Sequence, residues 1–324
     1  MATTRSEADA AARLGEAIAA ELGAALSVPR TTISLAVMCL LSGGHLLLED
    51  VPGVGKTTLA RALARAVCAR ATRVQFTSDL LPSDLTGVSV WDPAARVFSF
   101  HPGPLFSEVV VADEINRANP KTQAALLEAM EEHRVTVDGT THELPDPYFV
   151  VATQNPVEME GTYPLPEAQL DRFMVRTSIG YPSPEAERRM LAHASGTDPV
   201  TRVRAVCGVE DVRRFRRLAS EVHVSEEVAA YAVTLLDATR RSPEILLGAS
   251  PRAGLALLAI SRTRALLDGR DAVFPADVRA LAPAVLAHRL LLRDLSPETG
   301  QTEQQLAALR RVLAQVPAPA GRRR

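Results

Sequence analysis

The sequence predicts an α/β fold: a parallel sheet covered by helices, followed by a smaller domain built of helices alone. Three observations predict it. Short continuous apolar runs alternate with helical patterns as far as Gly180. A glycine-rich loop joins the first of those runs to a helix. Beyond Tyr181-Pro182-Ser183-Pro184 the strand-like runs stop and only helical periodicity continues.

Taken in order, residues 1–27 carry Arg5, Glu7, Asp9, Arg13, Glu16 and Glu21 among alanines, an amphipathic helix rather than a signal peptide. The apolar stretch from Ile33 to Leu48 is broken by Ser42-Gly43-Gly44-His45. It reads as a helix, a turn and a buried strand, too interrupted to span a membrane. Candidate strands are His45–Leu48, Thr72–Phe76, Glu108–Ala112, Phe149–Ala152 and Met174–Ile179. Most of them are continuous apolar runs, as suits strands buried on both faces. Helices are expected over Thr57–Ala69 and Pro120–Glu132, the second with Ala124, Leu127 and Met130 at helical spacing.

Two excursions interrupt the alternation. Residues 87–105 read as short strands with turns. Residues 134–144 place Asp138-Gly139 between alternating β-formers, a strong hairpin signal. The helical region offers candidates at 184–195, 209–222, 225–241, 251–268 and 275–289, with early prolines or caps such as Ser183-Pro184, Ser225 and Pro275. The expected organisation is an α/β domain over 1–180, a helical domain over 181–310 and a disordered tail over 311–324, where Pro, Ala and Arg dominate the end.

Composition narrows the function. The 324 residues suffice for one large or two ordinary domains. A net charge of −2 provides no overall attraction to nucleic acid or anionic membrane, and 4% aromatics leave little for base stacking. Cys39, Cys68 and Cys207 are scattered in apolar or helical contexts, which points to a reduced, cytoplasmic protein without disulfides.

The chemistry begins at Glu49-Asp50-Val51-Pro52-Gly53-Val54-Gly55-Lys56-Thr57-Thr58. Strand, glycine-rich loop ending in Gly-Lys-Thr, then helix is the arrangement that cradles nucleotide phosphates. Backbone N–H groups of this loop, Pro52 excepted, and the helix N-terminus favour negative charge, and Lys56 would reach the outer phosphates. The strict pattern opens on glycine, and Asp50 stands there instead. Aspartate tolerates left-handed backbone, and its carboxylate is expected to point away from the phosphates.

Val109-Val110-Val111-Ala112-Asp113-Glu114 supplies acids at the end of a buried strand. Asp113 would hold Mg²⁺ together with the Thr57 hydroxyl, and Glu114 would polarise the attacking water as general base. The plainer alternative is an acidic pair solvating a strand end. Asn155, just beyond Phe149–Ala152, could orient that water or touch the γ-phosphate; Asn155-Pro156 could equally be only a turn.

At this point the chain resembles a family. Asp113-Glu114-Ile115-Asn116-Arg117-Ala118 with the run from Lys121 to Glu132, Ala152-Thr153-Gln154-Asn155-Pro156, the run from Gly161 to Phe173, and Gly248-Ala249-Ser250-Pro251-Arg252-Ala253 look like the MoxR family of AAA+ ATPases. The resemblance implies a P-loop NTPase core with β-hairpin insertions and a helical lid. It makes Asn155 the sensor 1 residue, Arg172 an arginine finger and Arg252 the sensor 2 arginine. It implies ATP and Mg²⁺, and a homo-oligomeric ring, most often a hexamer, because the finger acts on a neighbour's nucleotide. It further implies a chaperone-like remodeller or activator of a protein client, with a von Willebrand factor A domain as the expected type. Val28-Pro29 departs from the family where a glycine-containing segment contacts adenine. Two other classes stay in view: a nucleotide-gated binding module with little turnover, and a nucleic-acid motor. The tip Val137-Asp138-Gly139-Thr140-Thr141 has no lysine or arginine, which argues against the motor.

Overall fold

The computed structural model describes residues 5–155, 162–185, 187–188, 198–294, 296 and 300–319. The amino-terminal half opens with α1 (Arg5–Ala25) and α2 (Arg30–Leu41), then β1 (Leu46–Glu49), α3 (Lys56–Ala66), β2 (Ala71–Gln75) and the short α4 (Pro82–Thr86). A hairpin of β3 (Gly87–Asp92) and β4 (Val97–Pro102) precedes β5 (Val109–Asp113) and α5 (Pro120–Glu132). A second hairpin, β6 (Arg134–Val137) and β7 (Thr140–Glu143), leads to β8 (Phe149–Gln154), α6 (Glu167–Leu170) and β9 (Val175–Thr177). The remainder is α7 (Val209–Glu221), α8 (Glu226–Arg241), β10 (Ile245–Leu247), α9 (Pro251–Leu267), α10 (Pro275–Leu286), β11 (Leu291–Leu292) and α11 (Gln301–Gln315).

The central sheet has the order β2-β5-β8-β1-β9, with every pairing parallel. Each strand is therefore entered at one edge and left at the other. Burial on both faces explains the unbroken apolar runs. Leu46 and Leu48, Val109 and Val111, Phe149 and Val151 face one core, while Leu47, Val110, Ala112, Val150 and Ala152 face the other. The twofold alternation of side chains along a strand divides them in this way.

Local chemistry sets the helix starts. The Asn119 side chain accepts from the Lys121 and Thr122 N–H groups with Pro120 in the first turn of α5. Ser225 caps α8, and Ser250 caps α9 ahead of Pro251. At the tip of the β6–β7 hairpin, Asp138 (φ 49°) and Gly139 (φ 77°) both take left-handed backbone, the two-residue turn that matches strand twist. The two hairpins touch where the Phe100 and His142 rings stack at 3.9 Å.

Three features differ from the sequence reading. The carboxy-terminal part is helical but not of helices alone: β10 and β11 pair antiparallel, with Ile245 opposite Leu292 and Leu247 opposite Leu291. The amino-terminal helix does not belong to the sheet domain alone: α1 packs against α2 and α3 and also along the lid helix α9. A Cβ built on Gly15 would lie 2.0 Å from Leu267 Cδ2, so the side chain is omitted where α1 approaches Leu267. The stretch 311–324 is also not disordered throughout. Helix α11 continues through 311–315, because Leu309, Val312, Leu313 and Val316 are buried in the lid core. Arg279 secures its end by donating to the Leu313 and Val316 carbonyls. Most of the candidate helix at 184–195, and residues 320–324, lie outside the described residues.

Candidate functional site

The loop between β1 and α3 lies at the carboxyl edge of the sheet. Gly53 (φ 83°) and Gly55 (φ 96°) take left-handed backbone, so the chain can curl with its amides turned inward. Helix α3 begins at Lys56, directly after the left-handed Gly55. The Lys56 ammonium donates to the carbonyls of Asp50, Val51 and Gln154, at 3.3 Å and 3.2 Å for the last two. It is thus folded over the loop from the side of β8.

Sheet order brings the other candidates alongside. Strands β5, β8 and β1 are consecutive neighbours, and their carboxyl ends carry Asp113, Asn155 and the loop. The Thr57 hydroxyl donates to Asp113, at 2.9 Å from Oδ2 and 3.1 Å from Oδ1. Asp113 is almost wholly buried, and its Oδ1 also accepts from Thr153 at 3.3 Å. A hydroxyl and a carboxylate converging beside a phosphate loop are the hard oxygen donors that suit Mg²⁺. A third partner is present: Arg73 on β2 donates from Nε to Asp113 Oδ2 at 2.6 Å.

Glu114 takes left-handed backbone (φ 57°, ψ 50°), uncommon for a non-glycine residue. Its N–H is held by the Thr153 hydroxyl at 2.9 Å. Gln75 Nε2 donates to Glu114 Oε2 at 2.8 Å, and Arg117 Nε stands 3.2 Å from the same oxygen. Asn155 is buried.

Asp50 explains its own departure from the strict pattern. Its Oδ2 accepts from the N–H groups of Ile179 and Gly180 at 2.7 and 2.6 Å, and its Oδ1 from Val51 N–H at 2.9 Å. The carboxylate ties the loop to the chain leaving β9. The preceding Glu49 is tied to the lid: its Oε2 accepts from Thr302 of α11 at 2.8 Å and lies 3.2 Å from the partly buried Arg176. Near the expected adenine segment, Val28 packs partly buried against the core and Pro29 precedes α2.

Arg172 and Arg252 are not beside this loop. Arg172 precedes β9, at the amino edge of the sheet, and pairs through Nε with Glu131 Oε2 at 2.8 Å. Arg252, in the first turn of α9, pairs through Nη1 with Glu131 Oε1 at 2.8 Å. The amino-edge position of Glu131 follows from its neighbour: the Met130 carbonyl faces Nε2 of His45, the residue before β1. The four residues of β1 alone separate the two edges by about 13 Å. The structure thus assembles Lys56, Thr57, Asp113, Glu114 and Asn155 at one edge, and Arg172 with Arg252 at the other.

Several site neighbours carry no sequence signal. Arg73 and Gln75 reach the two acids only through tertiary contacts, whereas Arg117 meets Glu114 locally, three residues along the chain. Asp171, beside Arg172, accepts from Ser250 Oγ at 3.0 Å and faces buried Arg289 at 3.3 Å. Burial pulls the Arg289 guanidinium down to about 10.

A phosphate loop on a five-stranded parallel sheet, with Asn155 at the end of the adjacent strand, an acid pair at the end of the next and a helical lid behind, defines a nucleotide-binding ATPase fold. Residues 45–175 match the model of the ATPase family associated with various cellular activities, and residues 237–309 match that of the AAA lid domain. The chain is 47% identical to the uncharacterized protein YeaC of Bacillus subtilis, over 89% of each chain. It is 42% identical to chaperone MoxR1 of Mycobacterium tuberculosis, over 80% of this chain and 72% of the relative. To protein MoxR of Methylorubrum extorquens it is 35% identical over 96% of both. A crystal structure from Cytophaga hutchinsonii, of a protein classed provisionally as an ATPase, superposes with a TM-score of 0.86 at 35% identity, covering 97% of each chain. The chain belongs to the MoxR family of AAA+ ATPases.

Proposed function

We propose that this protein hydrolyses ATP with Mg²⁺ as a closed ring of identical subunits, and that it uses the cycle to remodel or activate a protein client. The observation that carries the reading is the convergence of Lys56, Thr57, Asp113 and Asn155 on three adjacent strand ends. The loop amides and Lys56 bind the phosphates of ATP. Thr57 and Asp113 would hold Mg²⁺, which when bound neutralises charge on the transferring phosphate. Glu114 takes a proton from the attacking water, and Asn155 orients that water through its amide.

The arginines complete the site from outside. Arg172 and Arg252 are across the sheet from their own loop, so the nucleotide they can serve is bound to a neighbouring subunit. That geometry supports a ring, since each subunit offers a loop at one edge and arginines at the other. We take a hexamer and a client with a von Willebrand factor A domain as the working expectation, from the family resemblance of the sequence motifs. Purified protein should show Mg²⁺-dependent ATPase activity that Lys56→Ala and Glu114→Gln each abolish. Activity surviving both substitutions would refute the assignment.

One observation favours a second reading, a nucleotide-gated binder with slow turnover. Arg73 occupies an oxygen of Asp113, while Gln75 and Arg117 engage Glu114. Tight ATP binding without phosphate release at high protein concentration would support it.

A further inference from the structure

Glu131 stands in the last turn of α5, where the helix carbonyls disfavour a carboxylate and no basic residue shares the turn. Two guanidiniums from distant parts of the chain compensate. Arg172 reaches Oε2 from the turn before β9, and Arg252 reaches Oε1 from the start of the lid helix α9, each at 2.8 Å. One carboxylate therefore spaces two like charges that would otherwise repel. The same two segments are joined again nearby, where Ser250 donates to Asp171.

We propose that Glu131 is a positioning residue that holds Arg172 and Arg252 as one preformed pair for the terminal phosphate of a nucleotide bound to a second copy of this chain. The proposal rests on the ring reading above. Two cations less one anion leave the cluster net positive, so it still attracts phosphate. A guanidinium has several N–H donors, and only one from each is committed to Glu131 in these pairs. The hydrogen bond from Arg172, the largest cause, and the pairing with Arg252 hold the Glu131 carboxyl below its ordinary range, so it is anionic at neutral pH. Orienting donors before the phosphate arrives removes reorganisation from the reaction step.

Steady-state ATPase assays on Glu131→Gln, Arg172→Ala, Arg252→Ala and the Glu131→Gln/Arg172→Ala double variant test this, with residual turnover followed by labelled phosphate release. Glutamine keeps the size of the side chain and one acceptor oxygen, and an unchanged unfolding midpoint confirms the fold. Glu131→Gln should lower kcat about tenfold while KM and the affinity for a fluorescent ATP analogue stay unchanged. In the Arg172→Ala background the same substitution should change kcat less than about twofold, because its effect runs through the arginine. Equal losses in both backgrounds would overturn the proposal. So would an unchanged kcat in Glu131→Gln beside a large loss in Arg172→Ala. If Arg172→Ala and Arg252→Ala both retain full kcat, the ring reading itself fails and the proposal falls with it.

Discussion

Asp50 accepts a hydrogen bond from the N–H of Gly180 at 2.6 Å, so the first residue of the phosphate loop is fastened to the chain leaving the last strand of the sheet. The adjacent Ile179 N–H donates to the same oxygen at 2.7 Å. An alanine at position 50 would strand both donors in a partly buried place. Asp50→Ala should therefore cost about 1–3 kcal/mol in denaturant unfolding and raise KM for ATP, although it removes a negative charge near the phosphates. Unchanged stability would show that the clasp carries no free energy.

Arg73 and Asp113 form the next relationship with consequences. Their contact at 2.6 Å puts a guanidinium on an oxygen that the proposed Mg²⁺ also needs. Arg73→Ala should lower the Mg²⁺ concentration needed to half-saturate binding of a fluorescent ATP analogue by several-fold. A higher requirement would mean that Arg73 assists the metal site instead.

Two buried histidines make the fold sensitive to mild acid. Burial lowers the His45 pKa to about 3, and burial holds His288 well below its ordinary value. His45 accepts from Val150 N–H at Nδ1, and its Nε2 lies 3.2 Å from the Met130 carbonyl, the arrangement of a neutral ring donating to that oxygen. Both rings are neutral when folded, whereas an unfolded histidine takes a proton below about pH 6.5. The unfolded state then binds more protons, so stability is full above that pH and falls as pH drops toward about 3. Each ring contributes a slope of up to about 1.4 kcal/mol per pH unit. Denaturant midpoints measured from pH 7 to pH 4 should show this decline, and His45→Gln should flatten it.

The β6–β7 tip offers Asp138 and Gly139, and the β3–β4 insert exposes Trp91 and Phe98 rather than a basic surface. DNA or RNA should leave the ATPase rate unchanged at low and at high salt. Stimulation that disappears with salt would instead indicate a nucleic-acid motor.

The parallel core was legible because its signals are local. Buried strands such as Val109–Asp113 write their burial as unbroken apolar runs, and Asp138-Gly139 writes its turn in two residues. The phosphate loop is equally compact in sequence. The attachment of α1 to the lid, by contrast, depends on Gly15 meeting Leu267. The end of α11 was hidden because Val312 and Leu313 precede a tail rich in proline, alanine and arginine. Glu131 was illegible for the same reason as Arg73: each acquires its partner only when distant segments fold together.

The central claim is that each active site joins the loop of one subunit to the arginines of another. Mixing Lys56→Ala subunits with Arg172→Ala subunits, each expected to keep at most residual activity alone, tests it directly. An equal mixture should recover about a quarter of wild-type ATPase activity, since that share of neighbouring pairs unites an intact loop with an intact arginine. A mixture no more active than its separate components, after subunit exchange has been verified, would contradict the account.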